Sequence, residues 1–96
     1  MKAYLVLDFT VTDLPGFMPY VNQIPAHIAR HGGRYIVRGV PPTPIEGDWQ
    51  PDLMVILEFP ARENAEAFLA DPDIQPLFEV RHATTLSRLV LVDGCT

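Results

Sequence analysis

Apolar residues recur along this chain in two rhythms, one of period two and one of period three to four, and the order in which they alternate sketches a fold. From residue 3 to residue 11 every second position is apolar (Ala3, Leu5, Leu7, Phe9, Val11), which predicts a strand. The intervening set, Tyr4, Val6, Asp8 and Thr10, is mixed. Thr12 and Asp13 ahead of Leu14 and Pro15 read as a helix start, because a capping side chain accepts from free N–H groups and an early proline has no bond to lose. The helix sets Phe17, Tyr20, Val21, Ile24 and Ile28 on one stripe and stops at Gly32 and Gly33. Pro19 and Pro25 interrupt it. Pro25 lies deep enough to remove a backbone hydrogen bond, so a kink or a division into two short pieces is expected near residues 23–25.

A second strand over residues 34–39 leads into an irregular stretch, 40–51, where Pro41, Pro42, Pro44 and Pro51 exclude regular pairing except at a sheet edge. Residues 53–59 read as a third strand, apolar on both alternations and ended by Pro60. A second helix opens near Ala61 with Ala65, Phe68 and Leu69 inward, Asp71 and Pro72 break it, and a further turn or two carries Ile74, Leu77 and Phe78. The last strand, residues 85–93, is again apolar on both sides, and Gly94 closes the pattern. Two strand–helix–strand halves give an α+β fold, a ferredoxin-like βαββαβ sandwich with a four-stranded antiparallel sheet, in one domain over residues 1–96.

The helices of such a sandwich cover only one face of the sheet. The other face carries Tyr4, Val6, Met54, Ile56 and half of the apolar residues of the last strand. Burying about six side chains of this kind is worth on the order of 9–18 kcal/mol before the costs of association. A second copy laid sheet against sheet across a two-fold axis is therefore predicted, a homodimer. The alternative is a roof built by residues 40–51, which are few and rich in proline.

Composition narrows the classes of partner. Of 96 residues, 48% are hydrophobic and 20% charged, an ordinary globular balance. Twelve acidic against seven basic residues leave a net charge of -5, which gives no electrostatic footprint for a nucleic acid. No apolar run approaches the roughly 20 residues of a membrane helix, and no secretory signal is visible. Cys95, the single cysteine, fits a reducing compartment, so a cytoplasmic protein is expected.

Candidate chemistry sits on the alternation expected to face a second copy. Asp8 shares it with Tyr4 and Val6, and Glu58 with Met54 and Ile56, while Arg38 lies on the neighbouring strand. A buried carboxylate suits general acid or base work, and an arginine suits a bidentate hold on an anion. The other reading of Arg38 and Glu58 is a cross-strand ion pair that serves structure or dimer register. His82, beside the last strand, is a further catalytic candidate, against a surface or interface role. Trp49 is a binding candidate, against a simple loop anchor. His27 and His31 share a helix side, but two ligands make no metal site, and exposed histidines near a helix C-terminus are the simpler reading. Gly32 and Gly33 follow a helix and present no N-terminal amides to a phosphate. Ser87 has no nucleophile-elbow context, and Cys95 sits one residue from the end.

Several stretches together resemble domain-of-unknown-function family 1330, small bacterial proteins of the dimeric α/β-barrel superfamily. They are Ala3-Tyr4-Leu5 through Asp8, Val11-Thr12-Asp13, Gly32-Gly33-Arg34-Tyr35 with Val37-Arg38-Gly39, Glu46-Gly47-Asp48-Trp49 with Pro51, Leu57-Glu58-Phe59-Pro60, Arg81, and Leu91-Val92-Asp93-Gly94. The resemblance implies a ferredoxin-like subunit whose sheet pairs with another to enclose a barrel. It brings no catalytic residue, because no reaction is established for the family. The chain departs from the family at Val40-Pro41-Pro42 after Arg38-Gly39, at Phe68-Leu69 where an aromatic pair is usual, and at Ile74 where a tyrosine is expected. The function expected is binding of a small molecule in a pocket by the sheet, with chemistry on it that needs no cofactor, as in small monooxygenases and lactone isomerases of the superfamily. The alternative is a non-catalytic ligand sensor or a structural dimerisation module.

Overall fold

The alternation of residues 3–11 produces β1 (Ala3–Val11), the first element in a computed structural model that describes residues 1–96. There follow α1 (Leu14–Arg30), β2 (Arg34–Val40), β3 (Leu53–Phe59), α2 (Arg62–Ala70), α3 (Gln75–Thr84) and β4 (Thr85–Asp93). The strands form one sheet in the order β2-β3-β1-β4, and every neighbouring pair is antiparallel. This is the ferredoxin-like α+β sandwich that the sequence predicts.

Local chemistry fixes the ends of α1. The Asp13 carboxylate accepts from the Gly16 N–H at 3.2 Å, satisfying one of the free donors of the first turn. At the other end Gly32 takes a left-handed φ of 80°, and the Gly33 N–H reaches back to the Ile28 carbonyl at 2.9 Å. Gly33 is also required by packing: a Cβ there would lie 2.6 Å from the Phe59 ring. Of the kink or division expected near residues 23–25, the division does not occur: α1 is a single helix of 17 residues with Pro19 and Pro25 inside it. Its stripe packs Phe17, Ile24 and Ile28 onto the sheet, and that tertiary burial outweighs the local cost of proline.

Beneath the helices, Ala3, Leu5, Leu7 and Phe9 of β1 and Leu57 and Phe59 of β3 are buried. The core falls into a larger cluster around Leu5, Ile24, Phe59, Phe68 and Phe78 and a smaller one of Leu7, Phe9 and Phe17, with Tyr20 and Val55 packed against both. The opposite face is open, and residues 40–51 do not roof it. Trp49 reaches it at Asp8, but Leu86, Val90 and Val92 remain 70%, 55% and 44% exposed.

One placement differs from the sequence reading. Regular alternation puts Arg34, Ile36 and Arg38 on the open face together. In the structure β2 slips between Tyr35 and Val37 and again between Arg38 and Val40, so Arg34 pairs with Glu58 while Arg38 pairs with Val55. Gly39, at φ 64°, takes the left-handed geometry that the second irregularity needs. Each extra residue swaps the faces of those that follow, and Arg38 is turned to the helix side. The expected Arg38–Glu58 pair is therefore absent, and Arg34 takes its place.

Candidate functional site

Between the two core clusters lies a cavity of about 340 Å³, walled by residues of both. Leu5, Leu7, Phe9, Val55 and Leu57 form its floor on the sheet, and Phe17, Tyr20, Val21, Ile24, Phe68 and Phe78 line it from the helices. Exposed Leu14, Arg38 and Gly39 lie at its rim. The volume falls at the small end of the roughly 300–1,000 Å³ typical of ligand sites.

Four polar side chains interrupt this apolar wall: Tyr20, Tyr35, Arg38 and Arg81. Arg81 takes an inward position of α3, three residues after Phe78 and seven after Ile74, and is 4% exposed. Its Nη1 donates to Ser87 Oγ at 3.0 Å, whereas its buried Nε has no acceptor. The Phe78 and Tyr20 rings flank the guanidinium at 5.6 and 5.9 Å. Burial pushes the Tyr20 hydroxyl pKa up, while the Arg81 charge pulls it down; burial also raises that of Tyr35, against the pull of Arg38. At the rim, the Arg38 guanidinium stacks over the Tyr35 ring at 4.3 Å.

The remaining sequence candidates lie elsewhere. Asp8 is on the open face, where Arg88 of β4 stands opposite it and approaches to 3.2 Å, and Trp49 Nε1 donates to its Oδ2 at 3.1 Å. Asp8 therefore has partners that the sequence reading did not assign. Glu58, on the same face, accepts from Arg34 and from the Tyr4 hydroxyl at 3.3 Å and pairs with Lys2 at 3.2 Å. Arg34 chiefly, with Lys2, holds the Glu58 carboxyl below the usual range. His82 is exposed on α3 and does not line the cavity. His27 and His31 are half-buried, not exposed as expected: His31 Nε2 meets Asp71 Oδ2 at 2.8 Å, tying the end of α1 to the α2–α3 turn. That contact is the chief reason the Asp71 carboxyl falls to about 2. No cluster of three or more metal-ligating side chains occurs.

The structure thus brings Arg38 to the cavity, leaves Asp8, Glu58, Tyr4 and Trp49 on the open face, and adds Arg81, Tyr20 and Tyr35, which sequence reasoning did not single out as site residues. For Arg81 the only sequence signal is its spacing of three and seven residues from Phe78 and Ile74, at a point where the apolar stripe has already given way.

Solved structures share this architecture. A protein of unknown function from Rhodopseudomonas palustris superposes with a TM-score of 0.80 at 17% identity, covering 99% of this chain and 83% of its own. SnoaB from Streptomyces nogalater, a cofactor-independent oxygenase, gives 0.70 at 22% identity, covering 99% and 94%. A dimeric ferredoxin-like protein of unknown function from Jannaschia sp. gives 0.72 at 11% identity, covering 98% and 100%. None of the curated proteins matches the chain. At these identities the likeness is one of fold. Sequence kinship is closer to hand: residues 2–95 match the model of the family described as Domain of unknown function (DUF1330), and the chain belongs to that family.

Proposed function

We propose that this protein is a homodimer in which each subunit binds a small, largely apolar molecule in the cavity between its sheet and its helices. The observation that carries the reading is the cavity itself, apolar on nearly every side and placed between two core clusters that a solidly packed domain would merge. Pairing of two open faces supports the dimer, because Leu86, Val90 and Val92 otherwise stay wet, and two proteins of similar fold are described as dimeric. In this arrangement Asp8, Arg88 and Trp49 at one end of the face, and Tyr4, Glu58, Arg34 and Lys2 at the other, set the register of the two sheets.

A second reading adds chemistry on the bound molecule without a cofactor, and the likeness to SnoaB favours it over the role of a silent sensor. Its catalytic groups are drawn from the side chains lining the cavity.

Thermal unfolding in the presence of a panel of one- to three-ring compounds tests the binding. A ligand at about 100 times its Kd stabilises by about 2.7 kcal/mol, a readily measured rise in Tm. Val55→Trp, which fills the cavity from its floor, should abolish that rise while leaving the far-UV spectrum unchanged. A panel that stabilises nothing, or stabilises wild type and Val55→Trp equally, contradicts the reading. Oxygen uptake on adding a bound compound to protein free of flavin and metal tests the second reading, and its absence for every bound compound contradicts it.

A further inference from the structure

Seven side chains of this chain are basic, and five of them meet a carboxylate. Lys2 and Arg34 share Glu58, Arg30 meets Asp71, Arg62 meets Glu66 and Asp93, and Arg88 meets Asp8. The two left over are Arg38 and Arg81, and both line the same cavity. In a chain with 12 acidic residues to 7 basic ones, carboxylates are in surplus, yet none lines that cavity. Two unpaired cations in one apolar pocket of an acidic protein form a positive site.

Arg81 is the inner member. It has given up nearly all its hydration, and the side chains it bonds, the Ser87 and Tyr20 hydroxyls, are neutral. The C-terminal end of α3 and the faces of Phe78 and Tyr20 offset part of the cost of burying it, but neither supplies an acceptor to the orphaned Nε. A guanidinium with an unused in-plane donor is shaped for an oxygen anion, which it holds through parallel N–H bonds.

We propose that Arg81 is an anion-binding residue of the cavity, so that the ligand is an apolar molecule, one or two rings in size, bearing an anionic oxygen group: a carboxylate, a phenolate or an enolate. Ser87 steers the guanidinium through Nη1, and Arg38 adds a second positive charge at the rim. The inference rests on the reading of the cavity as a ligand site and goes beyond it in naming the class of ligand. It excludes cationic ligands and predicts that neutral isosteres bind weakly. Tyr20, its hydroxyl kept protonated by burial, remains a neutral donor beside the site.

Isothermal titration with 2-naphthoate and with neutral 2-naphthamide at pH 7 decides the matter. Wild type should bind the carboxylate at least tenfold more tightly than the amide. In Arg81→Met the two affinities should fall within about twofold of each other through loss of carboxylate binding, and Arg81→Lys should recover part of the preference. Because a buried arginine also packs, the wild-type ratio is read independently of any variant. The Nε–H resonance of Arg81 in the wild-type protein should shift on adding 2-naphthoate and stay in place with 2-naphthamide. Equal wild-type affinities, or a preference that survives in Arg81→Met, overturn the assignment while leaving the cavity a ligand site. Failure of both probes to bind overturns the cavity reading and the inference together.

Discussion

The two faces of this one sheet are both apolar and both carry charge, but they treat the charge in opposite ways. On the open face, Asp8 faces Arg88 and Glu58 faces Arg34 and Lys2, so each carboxylate has its cation within the face. On the helix-covered face, Arg38 and Arg81 have no carboxylate at all. Charges neutralised in place can be covered by an identical surface at modest cost, because no ion is left unpaired when water leaves. Unpaired charges need a counter-ion from outside. Under the proposed function, one face is finished by a copy of itself and the other by a small anion.

The largest effect on this comparison comes from removing the floor of the covered face. Phe59 is fully buried, and Phe59→Ala should cost about 3–5 kcal/mol in denaturant unfolding. A loss below about 1 kcal/mol would show that the covered face is not the core. On the open face, Val90→Glu should leave the subunit folded but place an unpaired carboxylate in the dimer contact. Gel filtration at micromolar concentration should then give the single-chain mass, with the far-UV spectrum retained; an unchanged elution volume would remove Val90 from the interface.

These two sites also show how far the sequence carried. The bounds of β1 follow from alternation, those of β3 and β4 from apolar runs closed by Pro60 and Gly94, and apolar residues on both sides of a strand announce an open face that wants covering. The inward turn of Arg81 was harder to read. After Phe78 the apolar stripe of α3 gives way to Arg81 and Thr84, both buried, so the helix looks shorter than it is and its arginine looks outward. Arg38 was misplaced for another reason: period-two counting cannot register the extra residue between Tyr35 and Val37, and Gly39 marks only the second irregularity, past Arg38. Asp8 seemed partnerless because Arg88, which faces it across the sheet, is 80 residues away in sequence. The separation of two core clusters by a cavity left no mark in the pattern, since its lining is as apolar as a packed core.

A smaller effect is expected at the open-face ion pair. Asp8→Asn should weaken the dimer by about 1–3 kcal/mol, with Arg88→Met similar, and the double variant should lose less than the sum of the two. Additive losses would mean that the two side chains do not act as a pair.

The smallest effect is one of pH and belongs to the edges of the comparison. His31 chiefly, with Arg30, depresses the Asp71 carboxyl to about 2, and Arg34 depresses Glu58. Both groups titrate lower in the folded chain than unfolded. Their contribution is therefore fully present above about pH 4 and drains away as the pH falls toward 2. Urea midpoints measured between pH 5 and pH 2 should decline for wild type and decline less for Asp71→Asn, whose side chain has no proton to gain. Parallel declines would remove Asp71 from the account.

The most direct measurement is sedimentation velocity of the unaltered protein from about 1 to 100 μM. Twice the 10.7 kDa chain mass is the predicted result, with the dimer persisting to the lowest concentration. A single-chain mass throughout would mean that the open face stays in water, contradicting the account of a sheet completed on that side by its own copy.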